Sequence, residues 1–183
     1  MANVLLVISG PSGVGKGTIV RALKQRRQDV VESISCTTRA PREGEVHGRE
    51  YFFLSKDEFL RRIDEDGFLE YDAHFENYYG TPKAFVDEQL KTKSVILEID
   101  VEGALKVKKA RPDSVLVMIA PPSVDELKKR LIGRNTETEA QIEKRLARLE
   151  YELSKASEYD FVVVNDDLEK AIGEVEGIID LSR

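Results

Sequence analysis

Gly10-Pro-Ser-Gly-Val-Gly-Lys-Gly-Thr18 decides how the rest of this chain is read. It follows a continuous apolar run, Val4 to Ile8, that suits a strand buried on both faces. It precedes Ile19, Val20 and Leu23, which mark one face of a helix. Glycines in such a strand-to-helix turn let several backbone NH groups converge on an anion. The helix adds its positive N-terminal end, and Lys16 adds a full charge for the outer phosphates. The position after the lysine, where the motif usually carries a Ser or Thr hydroxyl for Mg²⁺, is Gly17; the next hydroxyl belongs to Thr18. A Gly-rich turn with an incidental lysine would show the same nine residues, so the surrounding chain has to discriminate.

The chain has 183 residues, enough for one good core with a small insert or lid. Hydrophobic content of 41% and charged content of 34% are those of a globular protein, and no apolar run approaches the roughly 20 residues that span a membrane. The first strand begins almost at once, so no secretory leader is expected, and the lone Cys36 has no internal disulfide partner. A reducing, cytoplasmic setting is expected. The net charge of −6 opposes binding to a nucleic-acid backbone, so small phosphorylated molecules are the expected partners, with no membrane and no obligatory protein partner.

Further apolar runs at Val95 to Ile99, Val115 to Ile119 and Phe161 to Val164 each precede a helix-like stretch. This alternation predicts an α/β fold with a parallel sheet flanked by helices. Ser123 with Glu126, and Thr136 with Glu139, have capping-box spacing; Thr81-Pro82 fits a cap and first-turn proline. Ile142, Leu146, Leu149 and Leu153 form a helical stripe expected to be core. Ten of the thirteen aromatic residues fall between Tyr51 and Phe85, which predicts an α+β insert with its own small core. Within it, a helix capped by Ser55 with Glu58 packs on short strands such as Tyr51 to Leu54.

Between Ser35 and Tyr51 the sequence concentrates hydroxyls and three arginines. The forked guanidinium groups of Arg39 and Arg42 could hold a dianionic phosphate monoester, with hydroxyls from Tyr51 and Tyr79. The competing expectation is a solvated surface on which these arginines pair with Glu43, Glu45 and Glu50. Asp100 ends the run Val95-Ile-Leu-Glu-Ile-Asp100, at a strand end where enzymes with such a phosphate loop often hold the water shell of Mg²⁺. Arg130 and Arg134 share one helical face, and Arg145 begins the basic side of the next helix, near Arg148, so the segment reads as a lid. His47 and His74 have no metal-ligand spacing, and no hydrolase triad is visible.

The phosphate loop, Thr37-Thr-Arg39, Pro41-Arg42, Gly44-Glu45, Gly48, Tyr51, Asn77-Tyr-Tyr-Gly80 and Asn165-Asp-Asp167 together resemble the guanylate kinase family nearly end to end. The resemblance implies ATP and GMP going to ADP and GDP, with Mg²⁺ as cofactor. It implies a single domain over 1–183, with core at 1–34, 83–124 and 149–183, a GMP-binding insert at 35–82 and a lid at 125–148. Gly10, Pro11, Ser12, Gly13, Val14, Gly15, Lys16, Gly17 and Thr18 would bind ATP together with Arg130, Arg134 and Asn165, the last near the adenine. Ser35, Arg39, Arg42, Tyr51, Glu70, Tyr79 and Thr81 would contact GMP. Glu98, where the family commonly has aspartate, and Asp100 would join that nucleotide site. Lys16, Arg39, Arg134 and Arg145 would carry catalysis, with Thr18 and Asp100 supporting the metal partly through water. Asn135 stands where a glycine is usual in the lid turn. A carboxylate at Glu70 is a pure acceptor that could take both NH donors of guanine and would be left unpaired by adenine. Two other functions fit parts of the pattern: a phosphopeptide-binding module with the same acceptor pocket, and a kinase with a different acceptor.

Overall fold

The computed structural model describes residues 2–74, 76–132 and 138–183; the side chains of His74, Glu126, Arg130, Leu131 and Ile132 also lie outside the description. A five-stranded parallel sheet forms the centre. Its order is β2 (Val30–Glu32), β7 (Ser94–Glu98), β1 (Leu5–Ser9), β8 (Val115–Ala120) and β9 (Phe161–Val164). All five residues of β1 are buried, as an uninterrupted apolar run in a parallel sheet requires. Alternation along β1 splits its side chains between two cores. Leu6 and Ile8 join Ile19, Val20 and Leu23 of α1 (Lys16–Arg26) and Ile172, Val175 and Ile179 of α7 (Leu168–Leu181). Leu5 and Val7 face Val86 of α3 (Lys83–Leu90) and Val101, Ala104 and Val107 of α4 (Val101–Ala110). Each fully buried larger aliphatic side chain contributes about 1.5–3 kcal/mol, so the two faces fix the register of the central strand.

A second sheet runs β4 (Phe52–Phe53), β3 (Cys36–Thr37), β6 (Asn77–Pro82) and β5 (Phe68–His74), covered by α2 (Lys56–Asp64). Phe59 of α2 stacks on Phe68 at 4.4 Å between ring centroids and lies 5.4 Å from Tyr78. This is the separate aromatic core expected of the insert. Gly80 is small because of it: a Cβ there would come within 2.9 Å of the Phe68 ring and 3.0 Å of Phe59. Ser55 caps α2 by accepting the Glu58 NH, whereas the Glu58 carboxylate pairs with Arg62 instead of returning to the cap.

Several local expectations are corrected. The strand after Arg49 is only Phe52–Phe53, and β2 was not anticipated, because three residues carry too little pattern. The cap of α3 is Pro82; Thr81 stays in β6 because its hydroxyl is bonded to Glu70. Helix α6 (Glu139–Ser154) starts from Thr138, whose capping box with Gln141 displaces the anticipated Thr136–Glu139 pair; Thr136 itself lies outside the described residues. Of the stripe on α6, only Leu149 is fully buried. Helix α5 (Val124–Ile132) precedes it, and among the described residues no helix is long and apolar enough to cross a membrane.

The parallel strands all end at one edge, where β1 leads to Gly10, β7 to Glu98–Asp100, β8 to Pro121 and β9 to Asn165. Ligands of open α/β sheets bind at this carboxyl edge. Gly10 makes the turn there with φ of 140°, and a Cβ would meet the Ile119 carbonyl oxygen at 2.3 Å. Gly10→Ala should therefore destabilise the fold by about 2 kcal/mol or more. Thermal denaturation should show the midpoint falling by roughly 4–8 °C.

Candidate active site

The turn leaving β1 is shaped by three glycines at positive φ, Gly10, Gly13 and Gly15, and Gly15 caps α1 in the left-handed conformation. Ser9 beneath it is fully buried and accepts a 2.8 Å hydrogen bond from the Tyr159 hydroxyl. Asn165 holds the loop from the other side. Its amide donates to the Val14 carbonyl at 2.8 Å and lies so close to Gly15 that a Cβ there would approach within 2.6 Å. With Gly13, Val14, Gly15, Pro121, Pro122, Ser123 and Leu127, Asn165 also lines a cavity of about 160 Å³.

Lys16 donates to the carbonyls of Gly10 (2.7 Å) and Pro11 (2.9 Å) and faces a cleft of about 490 Å³. Gly10, Ser12, Glu98, Asp100, Arg145, Arg148 and Glu152 share this cleft. Burial lowers the Lys16 ammonium below its usual value; Glu98, Glu152 and Asp100 oppose that shift, and Arg148 adds to it. Glu98 lies at the mouth, open to solvent on one side. It is raised by burial first and then by Glu32, with Lys16 and Arg21 opposing. Both its carboxylate oxygens lie 3.6 Å from where a Cβ of residue 17 would stand, so Glu98 faces the position from which the hydroxyl is missing. Thr18 is exposed and does not line the cleft. Asp100 caps α4 by accepting the Gly103 NH at 2.8 Å through Oδ1.

Glu98 and Ile99 also line a second cavity, of about 310 Å³, with Ser35, Tyr51, Thr81, Glu32, Ser33 and Glu50. Beside it, Glu70 of β5 is opposite Thr81 of β6 in register and accepts its hydroxyl at 2.6 Å. Burial raises Glu70 above its ordinary 4.5, against the Thr81 hydrogen bond. Gly103 brings Glu70 and Asp100 together: a Cβ there would be 3.2 Å from Asp100 Oδ1 and 3.4 Å from Glu70 Oε2. Arg39 lies over the Tyr51 ring at 5.5 Å and pairs with Glu45 at 2.9 Å, and both partners are mostly shielded from solvent. The Glu45 interaction, followed by that with Tyr79, raises the guanidinium above its usual value. The other oxygen of Glu45 accepts the backbone NH of Arg42, whose side chain is exposed. The pairing anticipated for these arginines is thus present for Arg39 with Glu45 and, on the surface, for Arg49 with Glu50; at Arg39 it also fixes the orientation of the fork.

Arg145 reaches the cleft; Arg134 and Asn135 lie outside the described residues, as does the side chain of Arg130. Arg148 and Glu152 were not anticipated as cleft residues. The available signal was helical spacing, since Arg148 is three residues beyond Arg145 and Glu152 four beyond Arg148. Ser33 was missed because it belongs to the unanticipated edge of β2.

The family model for guanylate kinase matches residues 2–182. The guanylate kinase of Caldanaerobacter subterraneus subsp. tengcongensis is 50% identical over 178 residues, covering 97% of this chain and 86% of that protein. That of Prochlorococcus marinus NATL2A is 51% identical over 178 residues, covering 97% and 96%. Among solved structures, guanylate kinase from Anaplasma phagocytophilum superposes with a TM-score of 0.75 at 31% identity, over 98% of this chain and 86% of that one. A shikimate kinase from Bacteroides thetaiotaomicron, at 12% identity and a TM-score of 0.51, shares the fold alone.

Thr81→Val should raise the midpoint at which Glu70 titrates, because it removes the hydrogen bond that favours the carboxylate; carbon-13 NMR of labelled glutamate carboxyls reads this directly. Glu70 holds its proton more tightly folded than unfolded. Folding stability should therefore fall as pH rises from its ordinary value through its raised one, and fall further in Thr81→Val.

Proposed function

The chain belongs to the guanylate kinase family and transfers a phosphoryl group between ATP and GMP; on that premise we propose how its residues divide the reaction. One observation carries the assignment: the Lys16 cleft and the cavity beside Glu70 share a wall, Glu98 and Ile99. Two nucleotides that meet across that wall can place a phosphate oxygen of GMP in line with the bond between the β and γ phosphates of ATP. That oxygen forms a bond to the γ phosphorus while the bridging bond breaks and ADP leaves. Such a transfer asks the protein chiefly for alignment and charge neutralisation.

The loop from Gly10 to Thr18 cradles the donor phosphates with backbone NH groups, and Lys16 leaves the carbonyls of Gly10 and Pro11 to pair with them. Arg145, with Arg130 and Arg134, adds lid charges, and Asn165 borders the donor base. Arg39, Arg42, Tyr51 and Tyr79 hold the acceptor phosphate. Glu70 accepts guanine NH groups, with Thr81 and Ser35 beside it. The insert at 35–82 and the lid at 125–148 exclude water over the 1–34, 83–124 and 149–183 core, which protects ATP from hydrolysis.

Mg²⁺ suits the hard oxygen donors at this edge, Glu98 and Asp100; Thr18, which is exposed and does not line the cleft, is not among them. When bound the ion would neutralise donor phosphate oxygens. The small soluble substrates fit a cytoplasmic setting. The assay that tests the division is ADP release across a panel of nucleoside monophosphates. GMP should be preferred, and Lys16→Ala should lower kcat/KM by roughly 100-fold or more with an unchanged melting temperature. Preference for another monophosphate, or a near-normal Lys16→Ala rate, would remove the corresponding assignment.

A further inference from the structure

Three carboxylates pull on the charge of Lys16: Glu98, Glu152 and Asp100. Two of them are held by one residue. Arg148 donates from Nε to Glu152 Oε1 at 3.0 Å, and its Nη2 lies 3.5 Å from Asp100 Oδ2. The second contact is long, yet it is directed at the oxygen of Asp100 that the Gly103 cap leaves over. Arg148 also lines both the Lys16 cleft and an adjoining cavity of about 250 Å³, where Asp72 of β5 and Glu102 face it with Tyr151. Glu152 is 7% exposed, so its charge needs a nearby partner; Arg148 is bonded to it, and Lys16 and Arg145 line the same cleft.

We propose that Arg148 is a positioning residue that holds Glu152 and Asp100 off Lys16 and so keeps the ammonium available for the donor phosphates. The proposal rests on the reading of Lys16 as the donor-phosphate cation. Without Arg148, Lys16 and Arg145 are the cations that still line the cleft with Glu152 and Asp100, and the attraction of both carboxylates to Lys16 is no longer shared with Arg148, so they quench it. Removal of Arg148 therefore damages donor binding by leaving charges uncompensated, and neutralising Glu152 should repair the damage. A strut that only pins α6 in place behaves differently, because loss of either partner, or of both, breaks it equally.

The test measures calorimetric binding of a non-hydrolysable ATP analogue with Mg²⁺, and separately of GMP, to wild type, Arg148→Ala, Glu152→Gln, the double variant, Arg148→Lys and Lys16→Ala. Arg148→Ala should weaken the ATP analogue about tenfold while GMP affinity stays within about twofold. Arg148→Ala/Glu152→Gln should recover to within about threefold of wild type, and Arg148→Lys should fall between. The proposal is overturned if the double variant binds the analogue no better than Arg148→Ala, if Arg148→Ala binds it like wild type, or if both ligands weaken together. Normal analogue binding by Lys16→Ala would overturn the donor-site reading itself, and the proposal with it. Weak binding by Lys16→Ala beside normal Arg148→Ala would reject the proposal alone.

Discussion

A partly buried ammonium must find compensating charge, and the cleft at the carboxyl edge of the sheet is organised around that requirement at Lys16. Burial works against its charge, so Glu98 and Asp100 from the end of β7 and Glu152 from α6 are drawn towards it. A phosphate group is the strongest compensation the site could receive. The surrounding carboxylates must therefore stabilise the cation without saturating it. The loop carbonyls of Gly10 and Pro11 serve the same purpose, as acceptors that are polar but uncharged.

The proposed acceptor side obeys the opposite constraint. Glu70 is a carboxylate shielded from water, with the Thr81 hydroxyl on one oxygen and the start of α4 beside it. Adjacent NH donors satisfy such a group, and a ligand without them leaves it costly to ionise. Arg39 is oriented by Glu45 and by the Tyr51 ring, and in the proposed division of the site this would reduce the side-chain freedom lost on binding a phosphate.

How much of this could be read from the chain depended on the range of the interaction. The central strands, their helices and the phosphate loop were legible because an apolar run, a 3.6-residue stripe and a glycine spacing are local patterns. The aromatic core of the insert was legible from composition. Strand β2 was not, since three residues carry no period, and neither was the Pro82 cap, because the Thr81 hydroxyl is claimed by Glu70 eleven positions away. Thr18 shows the same limit: the nearest hydroxyl in sequence points to solvent, while Glu98, far away in the chain, faces Gly17. Arg148 and Glu152 carried a helical spacing but no motif, and only the approach of α6 to the end of β7 gives them a place at Lys16.

The central claim is that donor and acceptor meet across the wall formed by Glu98 and Ile99, with Lys16 on one side and Glu70 on the other. A crystal structure with a dinucleotide that joins adenosine and guanosine through a chain of five phosphates tests it most directly. The account predicts phosphate oxygens within hydrogen-bond distance of Lys16 Nζ, that ammonium released from the Gly10 and Pro11 carbonyls, and the guanine edge on Glu70. Guanine seated in the Asn165 cavity, or a phosphate chain that bypasses Lys16, would contradict it.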